Sequence, residues 1–454
     1  MYKLNTYIWF LSLGGGDYLL YNSLFQKAAR IDEELKTALE SRNLKELAEN
    51  EDVMNLLKEI QVVLPEAFDE MAHLHSLYPH LESNFEIGYK NYVFLLSWAC
   101  NLDCTYCFEK DYRKTRGKER LSVPMIRKAF TFIDTYGQEP PESLELTGGE
   151  PLLLSNREAV QCILTEGRER SLDSKTMITT NGVTLPAYAD LLIEYQDILS
   201  YVRTTLDGIQ DHHDKRRRRS DGSGSYDAIV RGVQALLEQG FDPRKIHITV
   251  RFDPQLSKRI GEVLETLESF DFLGKVNITF GTVDNYSVNP EKTMEAKEEI
   301  WRDFIAFFTE HSHYLRHIGL NDGTKTESIL TKILIEGKTA PVTPFGCPGI
   351  CGTESVACAP DGKVYFCMVP AGLQELPLGE FYPEITISPE VIQTVRQRSF
   401  FTLDACRPCK YMPVCSGGCP YAGGEGITCV MKSLFETELS EFFYQYVRPQ
   451  RVKE

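Results

Sequence analysis

The chain has 454 residues, 42% hydrophobic and 25% charged, which is ample apolar material for a large core and a length that fits about two to four domains. The formal net charge of −16 excludes general nucleic-acid binding, because neutralising phosphates needs a basic face. No apolar run approaches the roughly 18–20 residues of a membrane span. The early run Tyr7–Leu13 is too short to span, lacks a small-residue cleavage site and reads as a core strand.

In chain order, residues 1–85 read as a small winged-helix-like unit. Tyr7–Leu13, the turn Gly14–Asp17 and Tyr18–Leu24 predict a hairpin. Helical patterns follow at 32–41 and 51–61, then Val62, Val63 and Leu64 as a wing strand. The unit is acidic between Asp32 and Glu70, which argues against a DNA-binding winged helix. His73, His75 and His80 are unevenly spaced and read as surface or core histidines rather than ligands.

From 86 to 285 apolar strands alternate with amphipathic helices. Predicted strands are Tyr92–Ser97, Leu144–Thr147, Thr176–Thr180, Tyr201–Leu206, Ile246–Phe252 and Val276–Phe280. Predicted helices include Ser122–Tyr136, capped by Ser122 with Pro124 in its first turn, and Ser225–Gln239, ended by Gly240. Repeated βα units imply a parallel sheet, and six curl into a partial (β/α)6 barrel. Chemistry in such barrels sits at the C-terminal strand ends. Residues 286–345 read as a helical bridge with the stripe Ile300, Trp301, Phe304, Ile305 and Phe308. From 346 to 435 Gly, Pro and Cys rise, so metals must supply stability that a core cannot. The last segment, 436–454, includes most of a helix candidate at 432–447.

Twelve of the 13 cysteines fall in three clusters. Disulfide frameworks belong to small secreted domains, so clustered cysteines in a chain of this size read as metal ligands in a reducing cytoplasm. Cys100, Cys104 and Cys107 directly follow the first barrel strand. This loop offers three thiolates to a four-iron cluster that takes four ligands, leaving one iron open. A zinc site is the alternative, although zinc sites usually arrive as two separated pairs.

The triplet, with Gly148, Gly149, Glu150 and Pro151 after the second strand and Thr205, Leu206, Asp207 and Gly208 after the fourth, resembles the radical SAM superfamily. The resemblance implies a [4Fe–4S] cluster on Cys100, Cys104 and Cys107 whose open iron takes S-adenosyl-L-methionine (SAM). It places Tyr106 beside the adenine and the turn of Gly148, Gly149 and Glu150 around the methionine amino group. Asn181 ends the third strand, Thr205 stands where the family usually has Ser, and Arg217 is a candidate partner for the SAM carboxylate. An electron from the reduced cluster then cleaves SAM, and the 5′-deoxyadenosyl radical removes a hydrogen from a substrate carbon.

Cys406, Cys409, Cys415, Cys419 and Cys429, preceded by Cys347, Cys351 and Cys367, resemble a SPASM domain with two auxiliary [4Fe–4S] clusters, for a total of three. The resemblance assigns Cys406, Cys409, Cys415 and Cys429 to one cluster and Cys347, Cys351, Cys367 and Cys419 to the other. Cys358 is a ligand or a free thiol near the second cluster, and Cys162 is a buried apolar residue. A zinc-ribbon pair is the alternative. The N-terminal unit more loosely resembles the recognition element of peptide maturases, which adds a disordered leader as a strand; a stabilising cap is the plain alternative. Lys215–Arg219 is the strong basic block, read either as a solvated loop or as a contact for acidic peptide groups. Arg251 is a barrel-facing residue, either ion-paired or in contact with substrate.

Together these features predict a cytoplasmic radical SAM/SPASM enzyme of the sactipeptide and ranthipeptide type. It forms a thioether on a precursor peptide with a leader, supplied by an electron donor such as flavodoxin or ferredoxin, with no nucleic-acid or membrane partner. The alternatives are sulfatase-maturase-like formylglycine formation, carbon–carbon crosslinking and, in another class, a zinc-stabilised peptide-binding protein.

Overall fold

A computed structural model describes residues 2–78, 87–137, 141–282, 290–321, 326–347, 349, 354–419, 421, 430–436 and 438–451. The N-terminal unit is a three-stranded antiparallel sheet, β1 (Ile8–Gly14), β2 (Asp17–Asn22) and β3 (Lys27–Asp32), in the order β1-β2-β3. The hairpin and wing are present. Val63–Pro65 pairs antiparallel with Tyr2–Leu4, and the two helices are α1 (Glu33–Glu40) and α2 (Glu51–Glu59). Sequence pattern missed β3, because Lys27, Ala28 and Arg30 leave it without an alternating apolar face. Asp32 and Asn50 cap α1 and α2 by accepting from Leu35 N and Val53 N.

The sheet buries both faces. Leu20 and Ile31 join Leu39, Met54 and Leu57 of the helices. Trp9, Leu11 and Leu13, at period two, enter the main core. Trp9 lies 5.4 Å from the Tyr411 ring and 4.9 Å from Phe435, so this unit is seated on the cysteine-rich segment. His75 stacks on Phe401 at 3.9 Å and His73 packs beside Phe25, both as packing residues; His80 lies outside the described residues.

The six expected strands form as β4 (Asn91–Leu95), β5 (Ser143–Thr147), β6 (Thr176–Thr180), β7 (Leu199–Thr205), β8 (Ile246–Phe252) and β9 (Asn277–Thr282), each parallel to the next. Two parallel strands extend the set. β10 (Ile318–Asn321) pairs with β9, so the stretch read as a helical bridge also contributes a strand. β11 (Ser355–Cys358) pairs with β4 from the other edge, then continues antiparallel into β12 (Lys363–Tyr365). Four-residue strands without flanking repeats fall below what periodicity resolves. Cys358 faces the core from β11 with no exposed surface.

The helix after the cysteine loop is α3 (Lys110–Arg116), followed by α4 (Val123–Tyr136), α5 (Gln210–Arg216), α6 (Tyr226–Glu238) and α7 (Pro290–Glu310). Ser122 accepts from Met125 N at the start of α4, and Gly240 adopts φ +89° two residues past α6. From α7, Phe304 meets Phe252 at 4.9 Å and Phe280 at 6.3 Å, closing the core over β8 and β9. The predicted tail helix is two pieces, Val430–Phe435 and 439–451. Among the described residues no helix is long and apolar enough to cross a membrane.

Because Trp9 is fully buried between the two units, Trp9→Ala should cost about 3–5 kcal/mol. The lowered midpoint of thermal unfolding checks this, with Trp9→Phe retaining most of the stability.

Candidate functional site

The cysteine loop leaves the C-terminal end of β4 and is stitched to the end of β5. Gly149 N donates to Ser97 O at 2.8 Å, and Glu150 N donates to Ala99 O at 2.7 Å. Glycine is required there. A Cβ on Gly149 would stand 2.3 Å from Ala99 O, and Gly148 sits at φ +109°. On its other side the loop is zipped to the segment after α5: Asp103 N donates to Arg218 O at 2.8 Å and Thr105 N to Arg216 O at 2.9 Å.

Glu150 is fully buried. Its Oε1 accepts from Thr180 Oγ1 at 2.6 Å and Leu152 N at 2.8 Å, and its Oε2 from Asn181 N at 2.6 Å. Burial raises its pKa against those three bonds. It has no ion pair among the described residues, so the site offers a dry carboxylate to an ammonium. Asn181 Nδ2 donates to Asn101 Oδ1 at 2.6 Å and lies 3.6 Å from Cys100 Sγ. Burial, with Glu150 a lesser cause, raises the Cys100 thiol to about 12; a thiolate there needs a metal to hold its charge.

Arg217 is 7% exposed, and its Nε has no partner. A buried guanidinium N–H aimed at nothing is a donor waiting for an acidic group. Arg217 donates to Tyr106 Oη at 2.9 Å, and Tyr106 donates to Asp207 Oδ2 at 2.7 Å. The Arg216 guanidinium stands 4.6 Å over the Tyr106 ring. The basic block therefore divides: Arg216 and Arg217 turn inward, while Lys215 and Arg218 are exposed. Thr205 is half-buried at the end of β7. Arg251 donates to Thr282 O at 3.1 Å, a backbone carbonyl rather than a carboxylate.

Asp207, His213 and Ser225 received no role from the sequence, although Asp207 stands in the strand-end motif and Ser225 opens a predicted helix. Their signal was a polar residue ending an apolar strand, with a histidine six positions on. Asp207 N donates to His213 Nδ1 at 3.0 Å. His213 Nε2 therefore carries the proton and donates to Ser225 Oγ at 3.0 Å, and Ser225 donates to Arg217 O. The chain ties the end of β7 to the backbone of Arg217. It also requires neutral His213, whose pKa burial lowers to about 3. The folded value lies below the unfolded one of about 6.5, so this stability is complete above pH ~6.5 and is lost as pH falls toward 3. The cost at pH 5 should be about 1–2 kcal/mol. Thermal unfolding at pH 7.5 and pH 5 should separate more in the native chain than in His213→Asn; equal separation would refute the assignment.

In the cysteine-rich segment, Gly346 and Gly418 meet backbone to backbone, since a Cβ on Gly346 would stand 2.1 Å from Gly418 O. That contact sets the adjacent Cys347 and Cys419 on neighbouring backbone, both near Cys367. Burial, and then the nearby Cys347 and Cys419, push the Cys367 thiol up to about 11. Cys406 and Cys409 lie on one turn, with Cys409 N donating to Cys406 O at 2.9 Å, and pack among Tyr7, Leu24 and Met412. Cys415 N donates to Tyr411 O at 2.9 Å. Cys351 and Cys429 lie outside the described residues. Cys162 is half-buried against the core. Among the described residues no three His, Cys, Asp or Glu side chains converge as ligands of a single ion do.

Residues 96–267 match the radical SAM superfamily. A probable GTP 3′,8-cyclase from Halobacterium salinarum is 30% identical over 179 residues, 38% of this chain and 46% of the relative, so the chain spans about half of that relative's length. A serine-type anaerobic sulfatase-maturating enzyme from Bacteroides thetaiotaomicron is 24% identical over 392 residues, 77% of this chain and 87% of the relative. Among solved structures, anSMEcpe with bound AdoMet aligns at TM-score 0.56 and 19% identity, covering 79% of this chain and 97% of that one. Streptococcus suis SuiB bound to precursor peptide SuiA aligns at TM-score 0.53 and 13% identity, covering 93% of this chain and 96% of that one. Likeness at such identities is likeness of fold, and it agrees with the α/β barrel read from the sequence. The family match falls on the barrel itself, residues 96–267, where the cysteine loop and the buried Glu150 lie.

Proposed function

We propose that the chain is a radical SAM/SPASM enzyme that modifies a ribosomally synthesised peptide, joining a cysteine sulfur to a carbon of another residue. The observation that carries the SAM site is the convergence of the cysteine loop, buried Glu150 and the open Nε of buried Arg217 at one set of strand ends. In this reading Cys100, Cys104 and Cys107 hold a [4Fe–4S] cluster, Glu150 receives the SAM ammonium and Arg217 its carboxylate. Gly148 and Gly149 leave room for the ligand beside the backbone, with Tyr106, Asn181 and Thr205 around it. SAM on a reduced cluster supplies a 5′-deoxyadenosyl radical that removes a substrate hydrogen. Cys347, Cys351, Cys367 and Cys419 are assigned to one auxiliary cluster, and Cys406, Cys409, Cys415 and Cys429 to the other.

The peptide reading has two supports. The SuiB alignment covers 93% of this chain, which cannot be reached without much of the N-terminal unit. Among the described residues that unit also leaves β3 paired only with β2, beside a cavity of about 1060 Å³ lined by Arg30, Asp32, Glu34, Leu35, Ala38 and Val53. A free strand edge next to a groove lined by both apolar and charged side chains accepts an extended leader as a further strand. On the barrel's less buried strand face, Thr179 donates to Glu145 at 2.7 Å, and Tyr201 stacks on His247 at 4.4 Å. These groups give the peptide polar contacts below the strand ends.

Formylglycine formation is the second reading, favoured by the sulfatase-maturating relative that matches 77% of the chain. Mass spectrometry of a precursor peptide co-expressed with the enzyme separates the two. Thioether formation removes two hydrogens and consumes a thiol that iodoacetamide would otherwise label; formylglycine formation from cysteine loses the sulfur, and from serine removes two hydrogens but leaves every thiol open to labelling and an aldehyde in place of the hydroxyl. The same assay tests the site: Cys100→Ala, Cys104→Ala and Cys107→Ala together should abolish 5′-deoxyadenosine formation with SAM and dithionite. Cleavage persisting in that variant would refute the cluster assignment.

A further inference from the structure

Arg216, the last residue of α5, has only 11% of its side chain exposed, against 78% for its neighbour Lys215. Its Nη1 donates to Arg251 O at 3.0 Å and meets His212 Nε2 at 2.9 Å. The same nitrogen lies 3.4 Å from Asp253 Oδ2 and 3.8 Å from Oδ2 of fully buried Asp207. Asp253 is itself fixed, because its Oδ1 accepts from Gln255 N and Leu256 N. One corner of the guanidinium is therefore anchored to the ends of β7 and β8 and to α5. Its carbon stands over the Tyr106 ring, 4.6 Å from the centroid.

Holding a helix end needs only one or two such bonds. Polar neighbours on four sides of one nitrogen set the orientation of the whole flat group, and that group faces Tyr106. The ring is fixed from other directions as well. Its Oη accepts from Arg217 at 2.9 Å and donates to Asp207 at 2.7 Å, while Thr105 N donates to Arg216 O at 2.9 Å. A tyrosine free to turn about its side-chain torsions would lose that freedom when a flat ligand stacked on it. Here the loss is taken in folding, and what Tyr106 still offers a ligand is the rest of its ring.

We infer that Arg216 is a positioning residue for the nucleoside of SAM: by covering one face of the Tyr106 ring, it holds that ring ready for the adenine. The inference rests on the SAM reading above, which sets Tyr106 beside the adenine, and it gives a role to a side chain that touches neither SAM nor cluster in that reading. Lysine is no substitute. A point charge on a flexible stem has no flat face and does not hold a carbonyl, an imidazole and a ring together.

The test measures SAM dissociation constants by equilibrium dialysis on the cluster-loaded full chain under anaerobic conditions. Arg216→Gln should weaken SAM binding about five- to thirtyfold, the range of one desolvated cation–π contact. Arg216→Lys should stay at least about threefold weaker than the native chain. A double-mutant cycle then asks whether Arg216 acts through Tyr106. Added to Tyr106→Leu, Arg216→Gln should change SAM affinity by less than about twofold. Iron content and thermal midpoint near the native values confirm that each variant is folded and loaded. In dithionite-driven cleavage by Arg216→Gln, KM for SAM should rise while kcat stays within about twofold; this split decides if Tyr106→Leu fails to hold iron. Native SAM affinity in Arg216→Gln would overturn the inference. So would equal losses in the native and Tyr106→Leu backgrounds, the mark of an arginine that only braces α5, or a fall in kcat with KM unchanged. A native chain that binds no SAM would overturn the SAM reading and the inference with it, whereas tight native binding with an indifferent Arg216→Gln overturns the inference alone.

Discussion

Two short backbone hydrogen bonds, from Gly149 to Ser97 and from Glu150 to Ala99, hold the site together. They require that the ends of β4 and β5 approach more closely than any side chain on Gly149 permits. The approach fixes the root of the cysteine loop and sinks Glu150 beneath it. Burying that carboxylate is unfavourable unless it is hydrogen-bonded, and Thr180, Leu152 and Asn181 meet the need from three directions. Neighbouring strand ends thus serve one buried charge, and the same charge lies next to the thiol of Cys100.

A second layer acts from the far side of the loop. Asp207, His213 and Ser225 form a neutral hydrogen-bonded chain that sets the backbone of Arg217, while Tyr106 and Arg216 pack over one another. Arg217 is held there with one N–H unspent. Preorganising a buried donor in this way means that a ligand carboxylate meets it without rearrangement. Splitting one basic run into an inward pair and an outward pair lets a five-residue segment serve both the interior and the surface.

Much of this was legible in the sequence. The six long strands announce themselves by apolar runs, and the cysteine spacing and glycine pair fall at strand ends because nothing else tolerates such close backbone contact. β10 and β11 were not legible, being four residues each and set among irregular segments. β3 was hidden by its lysine and arginine, which face outward from an edge strand. The direction of each side chain in Lys215–Arg219 was equally hidden, since it depends on how α5 ends against the cysteine loop. The nearness of Cys347 and Cys419 to Cys367 depends on the contact between Gly346 and Gly418, which lie more than 70 residues apart.

The claim that Glu150 and Arg217 hold SAM against the cysteine-bound cluster is tested most directly by electron paramagnetic resonance. Reduced, cluster-loaded protein is recorded with and without SAM. SAM should change the spectrum of the native chain, and the change should weaken or vanish in Glu150→Gln and Arg217→Gln that retain their iron. A native spectrum indifferent to SAM, or variants that respond as the native chain does, would contradict the account.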